Sequence, residues 1–502
     1  MGKNIFNSVQ VEKPKKNVFD LSHDVKMSMK MGNLTPVLVT ECVPGDSFQI
    51  GCDSLIRFAP MVAPVMHRMD VSVHYFFVPN RLTWDNWEKY IVDANTPNPL
   101  PYINYTDDFT ADQKKFLDYM GVPPNTGTGI TQALNALPIA AYQAIYNEYY
   151  RDENLISEVD YTLSDGNNTG DVVDLVKMRQ RAWEHDYFTA SLPFAQKGTA
   201  VDIPIGSIDS DVTVQYNSLE VNENYIKTDS SSNIYVGQSN GVSTIGSPNF
   251  IAKTSDLDIA PTTINDLRRA FRLQEWLEKN ARGGTRYIEN ILMHFGVRSS
   301  DKRLQRPEYI TGLKTPVIIS EVLNTSATAE EAQGNMAGHG VAVSTGKYGN
   351  YFCEEHGYII GIMSVMPQPA YQQGIPKTYL KSDPLDFFWP SFAHIGEQPV
   401  TNNELYAYTA TAGDTFGYVP RYAEYKYQPS RVAGDFRTVL DYWHLGRIFA
   451  TQPALNQAFI ECDPDQVERI FAVQDGEDNL YCQIMHKIKA VRPMPKFGTP
   501  NF

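Results

Sequence analysis

The stretch MDVSVHYFFVPNRLTWDNW, residues 69–87, decides how the fold is read, because a strand, a proline turn and a Trp-rich segment follow one another within it. Met69, Val71, Val73, Tyr75 and Phe77 alternate with Asp70, Ser72 and His74, the period of two expected of a strand with one side on a core. Pro79-Asn80 ends the pairing. Trp84, Trp87 and Ile91 then recur at spacings of three and four, which predicts a helix over 84–92.

Upstream, LTPVLVTECV and SFQIGCDSLIRF read as two extended segments joined by Pro44-Gly45-Asp46. At that joint proline presets one dihedral and glycine accepts the positive φ that follows. Further strand signals come late: Thr315–Leu323 (TPVIISEVL), Gly340–Thr345, Tyr358–Met366 and Tyr481–Val491. In the last, Ile484 and Ile488 share one face while Lys487 and Lys489 share the other. Strands therefore cluster at both ends of the chain.

The interval between them follows helical spacing. PIAAYQAIYNEYYR, 138–151, places Tyr142, Ile145, Tyr146 and Tyr149 on one stripe behind a proline in the permitted first turn. Thr263 opens a capping-box pattern, TIND, for a helix expected to turn Ile264, Leu267, Phe271 and Leu277 inward and to stop at Gly283-Gly284. Glu275 with Lys279 and Glu278 with Arg282 are favourable i, i+4 pairs on its polar side. Residues 206–261 are rich in Ser, Asn, Thr and Asp and alternate weakly, as in an exposed loop or a small β excursion. These shifts divide the chain into an arm (1–33), a discontinuous β core (34–79, 312–366 and 430–502), a helical insertion (80–205), a variable surface loop (206–262), a helix with a connecting insertion (263–311) and surface or interface loops (367–429).

Composition bounds the function. Of the 502 residues, 42% are apolar and 12% aromatic, enough for a large core. The first residues hold no apolar block of signal-peptide length, and no apolar run is long enough to span a bilayer, so synthesis is expected in the cytosol. Cys42, Cys52, Cys353, Cys462 and Cys482 form no CxxC pair and are odd in number, which argues for free thiols. With 58 acidic against 43 basic residues the net charge is −15, the wrong sign for gripping nucleic acid over most of a surface. Any such contact is local. Lys13, Lys15 and Lys16 in the arm are one candidate strip, and Arg298, Lys302, Arg303 and Arg306 in RSSDKRLQR are a second. A solvated tail explains the first equally well, and an ordinary subunit interface the second.

Motifs for catalysis fail on inspection. Gly237-Gln238-Ser239-Asn240-Gly241 spells GxSxG, but VSTIGSPNF after it is no helix. Gly340–Lys347 has five residues between its glycines instead of four and Tyr348 where a magnesium-binding hydroxyl belongs. Glu354, Glu355 and His356 are adjacent, so on a strand they point to opposite faces. No HxH or HExxH spacing appears, and each histidine reads as a hydrogen-bonded core or interface group. No enzyme, cofactor or metal site is implied. Whether calcium bridges subunit contacts is not legible in the sequence.

FFVPNRL, followed by the two tryptophans, resembles the major capsid protein of the Microviridae, small phages with circular single-stranded DNA. FDLSHDVKMSMKMGNLTPVLVTECVPGDSF, LPIAAYQAIYNEYYRDE, HDYFTASLPFAQKG, EHGYIIGIMSVMPQPAYQQGI, FGYVPRYAEYKYQPSRVAGDFR and RPMPKFGTP resemble the same family, in its order, over nearly the whole chain. The similarity is nearest to the gokushovirus branch. It implies a mainly β protein, an eight-stranded antiparallel viral jelly roll with long helical and loop insertions. It further implies a sixty-copy T=1 icosahedral shell in the virion, assembled in the host cytoplasm from pentamer precursors, with residues 206–262 forming a three-fold protrusion used in host attachment. The implied partners are the chain itself, the single-stranded DNA genome, a small basic DNA-binding virion protein, a pilot protein and a host surface receptor. One departure stands out: Glu184 in RQRAWEHDYFT, where relatives carry more basic residues, weakens a phosphate role for that strip. A carbohydrate-binding β-sandwich and a glycoside hydrolase are the alternatives. The missing signal peptide and free cysteines count against the first, and the second needs a carboxylate pair.

Overall fold

The computed structural model describes residues 15–92, 99–124, 129, 131–199, 201, 214–216, 224–228, 234–238, 250–252, 263–323, 325, 335–346, 348–473 and 476–497, with backbone alone for the four short segments between 214 and 252. The chain divides into two units, Met1–Ala195 with Asn280–Phe502, and Gln196–Lys279.

The first unit is built on eleven strands: β1 Asn17–Asp20, β2 His23–Met29, β3 Thr35–Cys42, β4 Ser47–Phe58, β5 Met69–Pro79, β6 Glu308–Pro316, β7 Ile318–Leu323, β8 Met336–Thr345, β9 Gly349–Phe352, β10 Gly357–Pro367 and β11 Leu480–Arg492. All pair antiparallel, in two sheets. In the first, β1 and β2 flank β11, which is followed by β4, β8 and β7, and β9 also pairs with β4. In the second the order is β6, β5, β10, β3. Phe48, Ile56, Ile484 and Ile488 of the first sheet and Val73, Tyr75, Ile359 and Met363 of the second belong to one buried cluster, so the sheets pack face to face.

The 69–77 alternation is present, but both of its faces are buried. Met69, Val71, Val73, Tyr75 and Phe77 point into the core between the sheets. Phe76 and Val78 point the other way, into a second core shared with Tyr358, Ile360 and Ile362 of β10. That second core is the helical insertion. Helix α1, Ala111–Tyr119, contributes Phe116 and Leu117, and helix α2, Leu137–Ile145, is buried along its length. Its Tyr142 hydroxyl donates to the Leu34 carbonyl at 2.8 Å, tying insertion to β-scaffold. After α2 the chain widens into a π-helical turn, Tyr146–Tyr150.

Several local expectations need correction. Trp84 does not open the helix: it is an extended link between the one-turn helix Asn80–Thr83 and the helix Trp87–Val92. Its indole N–H donates to Asp165 at 2.7 Å, which anchors the buried ring outside the helical register, while Ile91 is exposed. TPVIISEVL is two strands, not one. Pro316 ends β6 in the second sheet, Val317 donates to the Met69 carbonyl at 2.9 Å, and β7 continues in the first sheet. The arm expected over 1–33 is not free along its described part: Lys16 donates to the Gly45 carbonyl, and β1 and β2 both pair with β11. The Pro44-Gly45 turn forms as read, with Gly45 at φ 92° and Asp46 N–H donating to the Val43 carbonyl at 3.1 Å.

In the second unit, the strands Val214–Tyr216 and Phe250–Ala252 pair, as do Asn224–Thr228 and Ile234–Gln238. Helix α3, Ile264–Gly283, carries the reciprocal Thr263–Asp266 cap and the Glu275–Lys279 pair at 3.0 Å. Its Ile264 and Phe271 are 71% and 62% exposed, contrary to the expectation that they turn inward. The expected Glu278–Arg282 pair is replaced: Glu278 accepts from Gln274, and Arg282, which with Glu397 belongs to the first unit, pairs with that residue.

Candidate assembly and nucleic-acid surfaces

The outer faces of the two sheets differ. The second is covered by the insertion along β3, β5 and β10, with Tyr309 of β6 left exposed. The first is open: along β11 the residues Tyr481, Gln483, Met485 and Lys489 are exposed, alternating with buried Cys482, Ile484, His486, Ile488 and Ala490. Across the ladder Arg57 stands opposite Tyr481, and Lys26 opposite Gln483. Lys487, half-buried, pairs with Asp53, and Lys26 with Asp24 at 2.6 Å.

The basic residues singled out in the sequence are not gathered into one surface. Lys13 lies outside the described residues. Lys15 is exposed, and Lys16 donates to the Gly45 carbonyl at 2.7 Å with its ammonium 5.3 Å from the Phe352 ring centre. In the second strip Arg298 and Arg303 are exposed, whereas Lys302 pairs with Glu354 at 2.8 Å. Arg306 is buried, with Nε 3.4 Å from Asp301 and 3.5 Å from Glu148 and its guanidinium over the Tyr149 ring at 4.6 Å. Its charge is used inside the fold. The arginines before HDYFT are also turned inward: Arg179 donates to Gln143 at 2.8 Å and Arg181 to Ser364 at 2.7 Å. Burial pushes the Glu184 carboxyl up, but hydrogen bonds from Lys314 and Gln368 outweigh it and hold the group below the usual range.

The apolar surface left open has the character of a contact surface. Helix α4, Tyr287–Phe295, exposes Tyr287, Leu292 and Phe295. Edge strand β7 exposes Ile318 and Val322 and has a pairing partner on one side alone. Between 379 and 395 the short helical turns present Tyr379, Leu385, Phe387, Phe388, Trp389 and Ile395. These rings are held in place: the Trp389 indole donates to the Pro384 carbonyl at 2.9 Å, and Phe388 packs edge-on against Tyr422 at 5.0 Å. Exposed, rigidly held aromatic anchors of this kind are typical of protein interfaces. Beside them lies a groove of about 800 Å³ lined by Tyr371, Lys377, Tyr379, Tyr408, Tyr427 and Arg431.

Among the described residues, those weighed for catalysis are not brought together at these surfaces, and Ser239 of the GxSxG lookalike lies outside the described residues. Glu354, Glu355 and His356 lie in the turn between β9 and β10, not on a strand as expected, and Glu355 is bound by Arg81 at 2.6 Å. The histidines that were read as hydrogen-bonded core groups include His67, on the Gln368 carbonyl at 2.6 Å, and His74, on the Tyr150 hydroxyl at 2.7 Å. Among the described residues no group of three or more His, Cys, Asp or Glu is arranged to hold a metal ion. No described helix is long and apolar enough to cross a membrane.

The comparisons with known proteins agree with this picture. The family model for the capsid protein (F protein) matches residues 7–502. The chain is 33% identical to capsid protein VP1 of Chlamydia phage 1, over 99% of this chain and 98% of that one. It is 36% identical to capsid protein VP1 of Bdellovibrio phage phiMH2K, and 30% identical to that of Spiroplasma virus 4, each over 96% of this chain and 94% of the relative. A two-sheet β scaffold with open apolar surfaces and a family match along its length leave one conclusion: the chain belongs to the capsid protein (F protein) family, as a major capsid protein of the Microviridae and a component of the virion.

Proposed function

We propose that this chain closes a T=1 icosahedral shell of sixty copies around a circular single-stranded DNA genome, through an eight-stranded jelly roll. The observation that carries the reading is strand order. Taken in sequence, β2, β3, β4, β5, β6, β8, β10 and β11 fall in the first, second, first, second, second, first, second and first sheet. The sheet orders β2–β11–β4–β8 and β3–β10–β5–β6 are those of two interlocked Greek keys. Such a scaffold lets connections grow long without disturbing its core, which suits a coat protein that needs several contact surfaces. The exposed edge of β7, helix α4 and the aromatic segment 379–395 are the surfaces we assign to neighbouring copies.

Residues 206–262 are proposed as the host-attachment insertion, since their polar, turn-rich composition fits exposed contact. The net charge of −15 leaves most DNA phosphates to other cations, supplied by a small basic virion protein, while Lys13, Lys15 and Lys16 make local contacts. A pilot protein and a receptor complete the partners. Cryo-electron microscopy of the expressed protein tests the reading: closed particles of T=1 geometry support it, and a soluble monomer at all concentrations overturns it.

A further inference from the structure

We propose that the open outer face of the first sheet, centred on Arg57 and Tyr481, is the surface on which the packaged single strand of DNA lies. The inference rests on the reading of a shell that encloses DNA, and it adds which side of the β-sandwich meets the genome.

Three observations carry it. The first is that, among the described residues, the first sheet presents the broader open side, because the outer face of the second is covered along β3, β5 and β10 by the insertion packed on Phe76, Tyr358 and Ile360. The second is charge. On a chain of net charge −15, this face is a place where cations outnumber carboxylates: Lys26, Arg57, Lys487 and Lys489 alternate outward, against Asp20, Asp24 and Asp53. Asp24 and Asp53 each engage a single lysine. Arg57 is exposed, and Lys16 lies at the rim over Phe352. The third is stacking surface. Tyr481 is 51% and Phe352 50% exposed, and Arg57 is the direct cross-strand neighbour of Tyr481. A ring beside a guanidinium, with Gln483 and Gln49 on the same face, is the combination that holds single-stranded nucleic acid without reading its sequence. Of the exposed apolar residues on this face, Ile318, Val322 and Val343 gather toward the β7 edge, where a protein neighbour suits them better than a phosphate chain, while Met485 on β11 and Val18 on β1 stand singly among the polar residues.

The test uses purified native particles. Ultraviolet crosslinking of the enclosed DNA, followed by protease digestion and mass spectrometry, is expected to place nucleotide adducts on the peptide containing Tyr481. Adducts confined to peptides from other surfaces overturn the proposal. Particles that contain no DNA instead overturn the underlying reading of a genome-enclosing shell. A paired variant, Arg57→Glu with Lys489→Glu, is expected to assemble with a several-fold loss of DNA per particle. Unchanged DNA content contradicts the proposal, and if the variant does not assemble, the crosslinks of the unmodified particle decide.

Discussion

Tyr75 and His486 join the two sheets through the middle of the core: the Tyr75 hydroxyl on β5 donates to His486 Nδ1 on β11 at 3.0 Å, and His486 Nε2–H donates to the Val37 carbonyl on β3 at 2.9 Å. Both side chains are buried. Each nitrogen of the imidazole thus has one partner across the sheet interface, and because the Val37 carbonyl can only accept, the proton of the neutral ring sits on Nε2. A buried polar group costs stability when its partner is removed. Tyr75→Phe is therefore expected to lower unfolding free energy by about 1–3 kcal/mol, measured by denaturant titration of the unassembled protein, with little change in secondary structure.

Acid should weaken the fold through the same histidine. Burial, followed by the nearby His23, pushes the His486 pKa down to about 4, and burial likewise holds His67 and His74 at about 4. A depressed folded-state value means that the unfolded chain binds protons first as pH falls. Stability is thus full above the ordinary histidine value near 6.5, declines between there and about 4, and levels off for these groups below that. Two and a half units correspond to roughly 3 kcal/mol per histidine. Denaturation midpoints measured across this range should fall for the native chain and fall less steeply for His486→Gln.

Neighbouring residues on β10 should report on different cores. Ile359 is buried between the sheets and Ile360 against the insertion. Alanine at either position is expected to cost about 2–5 kcal/mol. Hydrogen exchange separates them: Ile360→Ala should raise exchange in Leu137–Ile145, whereas Ile359→Ala should raise it in β4 and β11.

The five cysteines are free and buried. Burial raises the thiols of Cys462 and Cys482 to about 12, and that of Cys42 rises further. Thiolate is the reactive form, so a thiol reagent at neutral pH should label none of them until denaturant is added. Rapid labelling of the folded protein would show that one of these sites opens locally.

Much of the β-scaffold was legible because alternation is a local signal. The sides of β5 and β11 follow from their own sequences, and the Gly45 turn from three residues. What covers the second side of β5 was not legible, since Phe76 and Val78 find their partners in an insertion some sixty residues away. The corner at Pro316 was hidden for a similar reason: a continuous β-rich run does not record which sheet each half joins. Helix α3 shows the opposite failure, where an apolar stripe was read as inward although Ile264 and Phe271 face outward in the single chain. Basic composition misled at Arg306, whose charge is matched by Glu148 and Asp301. The open face around Arg57 was overlooked, although the outward lysines of β11 were its signal.

Self-association is the property from which the rest of the account follows, and analytical ultracentrifugation of the purified chain across a concentration series measures it directly. The account predicts megadalton closed particles, or a pentamer that converts to them as concentration rises. A monomer of 56.6 kDa at every concentration contradicts it.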